Sequence, residues 1–226
     1  MPRTPSLRHH NRVDARQHLP RSADLSTLVK AVQTCTACEL HENGTRAVFG
    51  EGPPDARLVL VGEQPGDVEE REGHPFVGPA GKLLNRALEE AGLDREHAYV
   101  TNAVKHFRFT RGSGPRRIHA TPEVRHIEAC RPWLNAELAL LNPDVVVVLG
   151  ATAVKALLGN SYRVTKDRGK LLPFEVPTNG EDAAVHTTHA LITTHPSAVL
   201  RTPPDRKEEA FAALVHDLTV AAHALA

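Results

Sequence analysis

Residues 145–149 read Val-Val-Val-Val-Leu, a run without a polar position. A strand that keeps one face in water alternates polar with apolar residues, so this one buries both faces and needs a layer of structure on each side. Arg57–Gly62 repeats the pattern, with Leu-Val-Leu-Val set between Pro54 and Gly62, and further strands are predicted at 98–104 and 190–194. Helical spacing fills the intervals. Leu83, Leu84, Ala87, Leu88 and Ala91 share one face of a helix that starts after Pro79 and ends at Gly92. Other helices are predicted over 123–141, interrupted or kinked at Pro132, and over 151–158 and 207–225. Strands that alternate with helices predict a three-layer α/β/α fold around a mainly parallel sheet. Ligands of such sheets sit at the carboxyl ends of the strands, so the loops after Val61, Thr101 and Thr194 are expected to converge. The stretch 62–81 reads as a long loop, and 163–188 as turn-rich with hairpin character.

With 226 residues, 41% of them apolar, the chain can bury one sizeable core and is short for two. Residues 1–23 are polar and without periodicity, and are expected to form a flexible tail ahead of a single domain over 24–226. The domain opens with a helix capped near Asp24, on which Leu25, Leu28, Val29 and Val32 lead into Cys35. No apolar run approaches the roughly 20 residues of a membrane span, and the N-terminus lacks a secretory core, so a cytoplasmic protein is expected. Nothing signals an oligomer, and a monomer is expected. Lys and Arg total 27 against 27 Asp and Glu, so nucleic-acid contact would have to come from local clustering. Lys105-His106-Phe107-Arg108, followed by Arg111, Arg116, Arg117 and His119, is such a cluster; it reads as a phosphate-facing loop or as a merely solvated one. Three cysteines cannot all pair, and Cys35-Thr-Ala-Cys38 favours a metal or redox site.

The expected ligand edge holds the chain's most unusual residues. Gly62-Glu-Gln-Pro-Gly-Asp67 brings two carboxylates and an amide into one turn, which could equally be a capped turn alone. Phe76, between glycines and prolines, is either core or a stacking surface for a planar base. Asn102 has the donor and acceptor needed to read a pyrimidine edge, or binds nearby backbone. His195 could donate to the O2 of a departing base, or cap the following helix.

Gly62-Glu-Gln-Pro-Gly-Asp67, Pro75-Phe-Val-Gly-Pro-Ala-Gly81, Thr101-Asn-Ala-Val-Lys105 and His195-Pro-Ser197 occur in the order and spacing of the uracil-DNA glycosylase superfamily, which the chain resembles over most of 35–201. The Cys-x-x-Cys pair and Ala129-Cys-Arg-Pro132 are similar to the iron–sulfur branch, family 4 and its relatives. Gln64, Lys105-His106-Phe107 and Arg116-Arg-Ile-His119 resemble the UdgX type within that branch, with one departure: Pro115 stands where the type has a Lys.

The resemblance implies the superfamily fold and a uracil-DNA substrate, single-stranded by preference because a base is easier to flip from a single strand. It implies that Phe76 stacks on the flipped uracil, Asn102 reads it, His195 stabilises the uracil anion and Glu63 faces the cationic sugar. It further implies that His119, helped by Glu63, captures the sugar C1′ where hydrolytic relatives use water, leaving a covalent adduct. Gln64 and Asp67 would shape that pocket, Ser197 would contact phosphate, and Arg116 and Arg117 would contact DNA. A [4Fe–4S] cluster is implied on Cys35, Cys38 and Cys130, with His106 where relatives carry a fourth Cys; zinc suits the same donors. The rival readings are a hydrolytic glycosylase with turnover, a noncatalytic metal protein that binds nucleic acid, and a redox protein indifferent to uracil.

Overall fold

The computed structural model describes residues 14–21, 24–114, 116–176 and 186–226. A 3₁₀ turn (Ala15–His18) precedes α1 (Leu25–Ala31), α2 (Leu40–Asn43), β1 (Leu58–Gly62), α3 (Asp67–Glu72), α4 (Pro79–Glu90) and β2 (Ala98–Asn102). Next come β3 (Phe109–Arg111), β4 (Arg117–His119), α5 (Val124–Leu141), β5 (Val145–Leu149), α6 (Gly150–Leu158) and α7 (Val164–Asp167). The chain closes with β6 (Leu171–Val176), β7 (His186–Thr193), α8 (Pro196–Arg201) and α9 (Pro204–Leu225).

The main sheet has the order β2-β1-β5-β7-β6, parallel except for the edge strand β6, which pairs antiparallel with β7. Side chains of a strand point alternately to opposite faces, and each buried strand therefore feeds two cores. Val59, Val61, Val146 and Val148 pack with α5 around Trp133, while Leu58, Leu60, Val145 and Val147 pack against α4 and α9. The three-layer α/β/α expectation holds, with every residue of β1, β2 and β5 buried.

Several local expectations are corrected. β2 ends at Asn102 rather than Val104: the Ala103 N–H makes the last ladder bond, to the Gly62 carbonyl (2.9 Å), and the Val104 N–H breaks the alternation by turning to the Glu63 carbonyl (3.0 Å). The stretch 62–81 contains α3, whose only apolar residue is Val68 and which therefore carries no helical periodicity. The expected loop 105–119 contains the β3–β4 hairpin, with Phe109 paired to His119. Residues 14–21, assigned by sequence to the tail, pack on the domain: Asp14 caps the 3₁₀ turn and Ala15 is fully buried. The rest of the expected tail, together with 177–185 of the hairpin segment and Pro115, lies outside the described residues.

Candidate active site

The carboxyl ends of β1, β5 and β7 open onto a cavity of about 430 Å³, lined by Glu63, Gln64, His119, Thr152's neighbour Ala151, His195 and Ser197 among others. Glu63 follows β1 directly and reaches two partners. Its Oε1 lies 3.3 Å from Nε2 of His119, and its Oε2 accepts the hydroxyl of Thr152 from the first turn of α6. Burial pushes this carboxyl up, but the hydrogen bonds to His119 and Thr152 and the neighbouring histidines outweigh it and hold Glu63 below the usual carboxylate range. A charged carboxylate thus faces the cavity.

Gln64 determines how His119 is presented. Its Oε1 accepts the main-chain N–H of Arg108 at 2.9 Å, which fixes the amide so that Nε2 is the donor. That Nε2 lies 3.1 Å from the carbonyls of Arg108 and Ala120 and 3.0 Å from Nε2 of His119. The amide has two hydrogens for these three neighbours, and Nε2 of His119, set between Glu63 Oε1 and Gln64 Nε2, donates to the carboxylate in one tautomer and accepts from the amide in the other. The β3–β4 hairpin holds the ring there.

His195 is the N-cap of α8, as the plainer sequence reading allowed: Nδ1 accepts the N–H of Ser197 at 3.1 Å, and the Ser197 hydroxyl lies 2.8 Å away. Capping also serves the chemistry. With Nδ1 used as acceptor, the proton of the neutral ring sits on Nε2 and is free to be donated. Burial pushes this imidazole down to about 4, so it is neutral at physiological pH and can supply a hydrogen bond to a developing anion.

Phe76 and Asn102 do not line this cavity but meet beside it across Gly62. A Cβ on Gly62 would come within 2.5 Å of Asn102 Oδ1 and 2.6 Å of Phe76 Cζ, so only glycine lets the aromatic edge and the amide approach β1 this closely. Phe76 has φ 56°, a left-handed conformation that is rare for a bulky residue and stores strain. Its backbone in turn requires Gly81, where a Cβ would lie 1.6 Å from the Phe76 carbonyl oxygen. The Phe76 ring stands 6.1 Å from that of His195, centroid to centroid, which joins this slot to the cavity.

The basic hairpin is less exposed than its composition suggests. Arg117, expected to meet DNA, turns inward with 9% of its side chain exposed, bonded to Asp67 and Glu70 and set over the rings of Phe107 and Phe109. Asp67, expected in the substrate pocket, is engaged by Arg117 and by Arg71. The pair ties α3 to the strand that carries His119. Arg116 is exposed.

Comparison with known proteins places the chain. The Uracil DNA glycosylase superfamily matches residues 49–219. The chain belongs to that superfamily. Among its relatives, the type-4 uracil-DNA glycosylase of Thermotoga maritima is 45% identical over 139 residues, covering 61% of this chain and 68% of that protein. Type-4 enzymes of Sulfurisphaera tokodaii and Pyrobaculum aerophilum are 36% and 35% identical, covering 81% and 82% of this chain and 79% and 89% of theirs.

A second, small pocket is lined in part by the Lys105–His106 segment. Cys35, Cys38, His106 and Cys130 line it together with Val32, Ala37, Ala129 and Trp133. Burial pushes the Cys38 thiol up to about 11 and the Cys130 thiol up to about 12, and holds His106 down at about 4. Two of the sulfurs already accept hydrogen bonds, Cys130 from the main-chain N–H of Lys105 at 3.2 Å and Cys35 from the Trp133 indole at 3.3 Å. Soft donors in a dry pocket, with N–H groups aimed at sulfur, fit a cluster or a metal ion. Among the described residues no three His, Cys, Asp or Glu side chains are drawn together tightly enough to hold a single ion.

Sequence reasoning singled out the residues that face the cavity but missed their supports. Thr152 was legible in principle, as a hydroxyl in the first helical turn after a central strand. The Lys105–Glu137 pair described below gave no local signal.

Proposed function

We propose that this chain excises uracil from DNA and that His119 then captures the sugar, leaving a stable covalent adduct. The observation that carries the reading is the approach of His119 Nε2 to within 3.3 Å of Glu63 Oε1 on the rim of the cavity that also holds His195. The names of the type-4 relatives supply the substrate.

A flipped deoxyuridine stacks on Phe76, and its N3–O4 edge is read by Asn102. The C1′–N1 bond breaks with its electron pair on uracil, whose O2 receives a hydrogen bond from Nε2–H of His195. Glu63 stabilises the cationic sugar electrostatically, without itself bonding to it. The lone pair on His119 Nε2 then forms the bond to C1′. The alkylated ring loses its Nδ1 proton, the uracil anion gains one, and the reaction balances without water. Gln64 supports this outcome by holding the His119 ring beside Glu63, and Arg117 by anchoring the hairpin. Ser197 and Arg116 are assigned to phosphate, with Ser197 also holding His195.

Cys35, Cys38, His106 and Cys130 would hold the [4Fe–4S] cluster. Bound there, it would join the end of α1, the segment after β2 and α5 as a structural brace. Single-stranded DNA is the preferred substrate in this reading, and the chain acts as a cytoplasmic monomer.

The test uses a labelled uracil-containing oligonucleotide, denaturation by heat and detergent, and a denaturing gel. A retarded band that His119→Ser abolishes is expected. Free DNA with an abasic site from the parent chain would replace capture by ordinary hydrolysis, and intact DNA would remove the excision reading altogether.

A further inference from the structure

Lys105 and Glu137 form an ion pair with no side-chain surface exposed. Taking two charges out of water is costly, and apolar side chains of similar size often stabilise a fold as well or better. What the pair holds in place is therefore informative. The Lys105 ammonium uses all three of its donors: on the Thr101 hydroxyl at 2.7 Å, on the main-chain carbonyl of Asn102 at 2.8 Å, and on Glu137 Oε2. Glu137 Oε1 accepts from the Gly50 N–H at 3.0 Å, the Tyr99 hydroxyl at 3.1 Å and the Thr101 hydroxyl at 2.9 Å. The carboxylate makes only acceptor contacts, as an ionised group must.

One peptide plane receives most of the consequence. The Asn102 carbonyl is bonded to Lys105, and the N–H of the same peptide group, that of Ala103, is bonded to the Gly62 carbonyl at 2.9 Å. Both edges of the plane are pinned, so the direction in which Asn102 leaves the backbone is set. The following N–H, of Val104, holds the Glu63 carbonyl at 3.0 Å.

We infer that Lys105, held by Glu137, is a positioning residue for uracil selectivity: it fixes the Asn102–Ala103 peptide plane and through it the base-reading amide, while touching no substrate. This rests on the reading of Asn102 as the residue that meets the base. A misplacement of about 1 Å at such a group is enough to cost on the order of a hundredfold in rate.

The experiment compares binding of otherwise identical single strands containing uracil or cytosine, in an excision-deficient Glu63→Gln background. The double substitution Lys105→Met with Glu137→Met removes the clamp without leaving one charge stranded. Its melting temperature is expected to fall, because Gly50, Tyr99 and Thr101 lose their acceptor and the Asn102 carbonyl its donor, while in protein that remains folded the ratio of the two Kd values narrows about tenfold. Asn102→Asp is measured beside it. If Asn102→Asp loses discrimination and the folded double variant keeps it, the positioning role is overturned alone. If Asn102→Asp discriminates like the background, the base-reading assignment falls and takes this inference with it. Should the double variant not fold, Thr101→Val and Thr101→Ser decide: narrowing in the first and recovery in the second supports the clamp, and equal ratios overturn it.

Discussion

His106 and His119 stand at the two ends of one segment and face opposite surroundings. His106 is buried among thiols and apolar side chains, is held neutral by desolvation, and is beyond the reach of any substrate. His119 has about half its side chain exposed and sits between a charged carboxylate and a fixed amide on the rim of an open cavity. In the proposed reading the same imidazole serves as a metal donor in one place and as a nucleophile in the other. Access and neighbours make the difference, and the residue type alone would not reveal it.

The comparison breaks most sharply at Glu63. Glu63→Gln keeps the shape of the cavity but removes its negative charge, and excision is expected to slow by about a hundredfold or more in single-turnover assays. Near-parent rates would mean that the carboxylate is not facing the reacting sugar. The dry pocket should respond differently. Cys130→Ser is expected to lose bound iron and sulfide and to lower the Tm by roughly 5–10 °C, while protein that remains folded still forms the adduct. Zinc without sulfide in the parent chain would assign the pocket to a single ion, and loss of capture at unchanged Tm would show that the two pockets do not act separately.

A smaller effect distinguishes the histidines by pH. His195 is held at about 4 by burial against an ordinary value of 6.5, so between these values the unfolded chain binds the extra proton. Stability is fully retained above pH 6.5 and is lost as pH falls toward 4. Urea unfolding at pH 7 and pH 5 should show a loss about 2 kcal/mol greater in the parent than in His195→Asn. Equal losses would place His195 in contact with water.

The sheet was legible because burial on both faces leaves a direct trace: Val145–Leu149 is an unbroken apolar run, buried at every position. Glu63 and His195 were legible because a strand end predicts where its loop will face. The supports were not, since they join distant parts of the chain. Thr152 meets Glu63 across 89 residues, Arg117 meets Asp67 across 50, and Lys105 meets Glu137 across 32. Arg117 illustrates the cost. A basic run reads as solvent-facing until the fold brings the carboxylates of α3 beneath it. Ala15 is the converse, one small residue buried inside a segment whose composition reads as tail.

The backbone of Phe76 constrains position 81 in a way that bears on which substitutions this loop can accept. Because the carbonyl of Phe76 occupies the space where any side chain at 81 would begin, position 81 cannot take a side chain while residue 76 keeps this backbone. A substitution at 81 expels the aromatic before it alters anything else, whereas a change at 76 still inherits a backbone bent to suit the original ring. Libraries aimed at this loop would therefore keep glycine at 81 and vary position 76 against it.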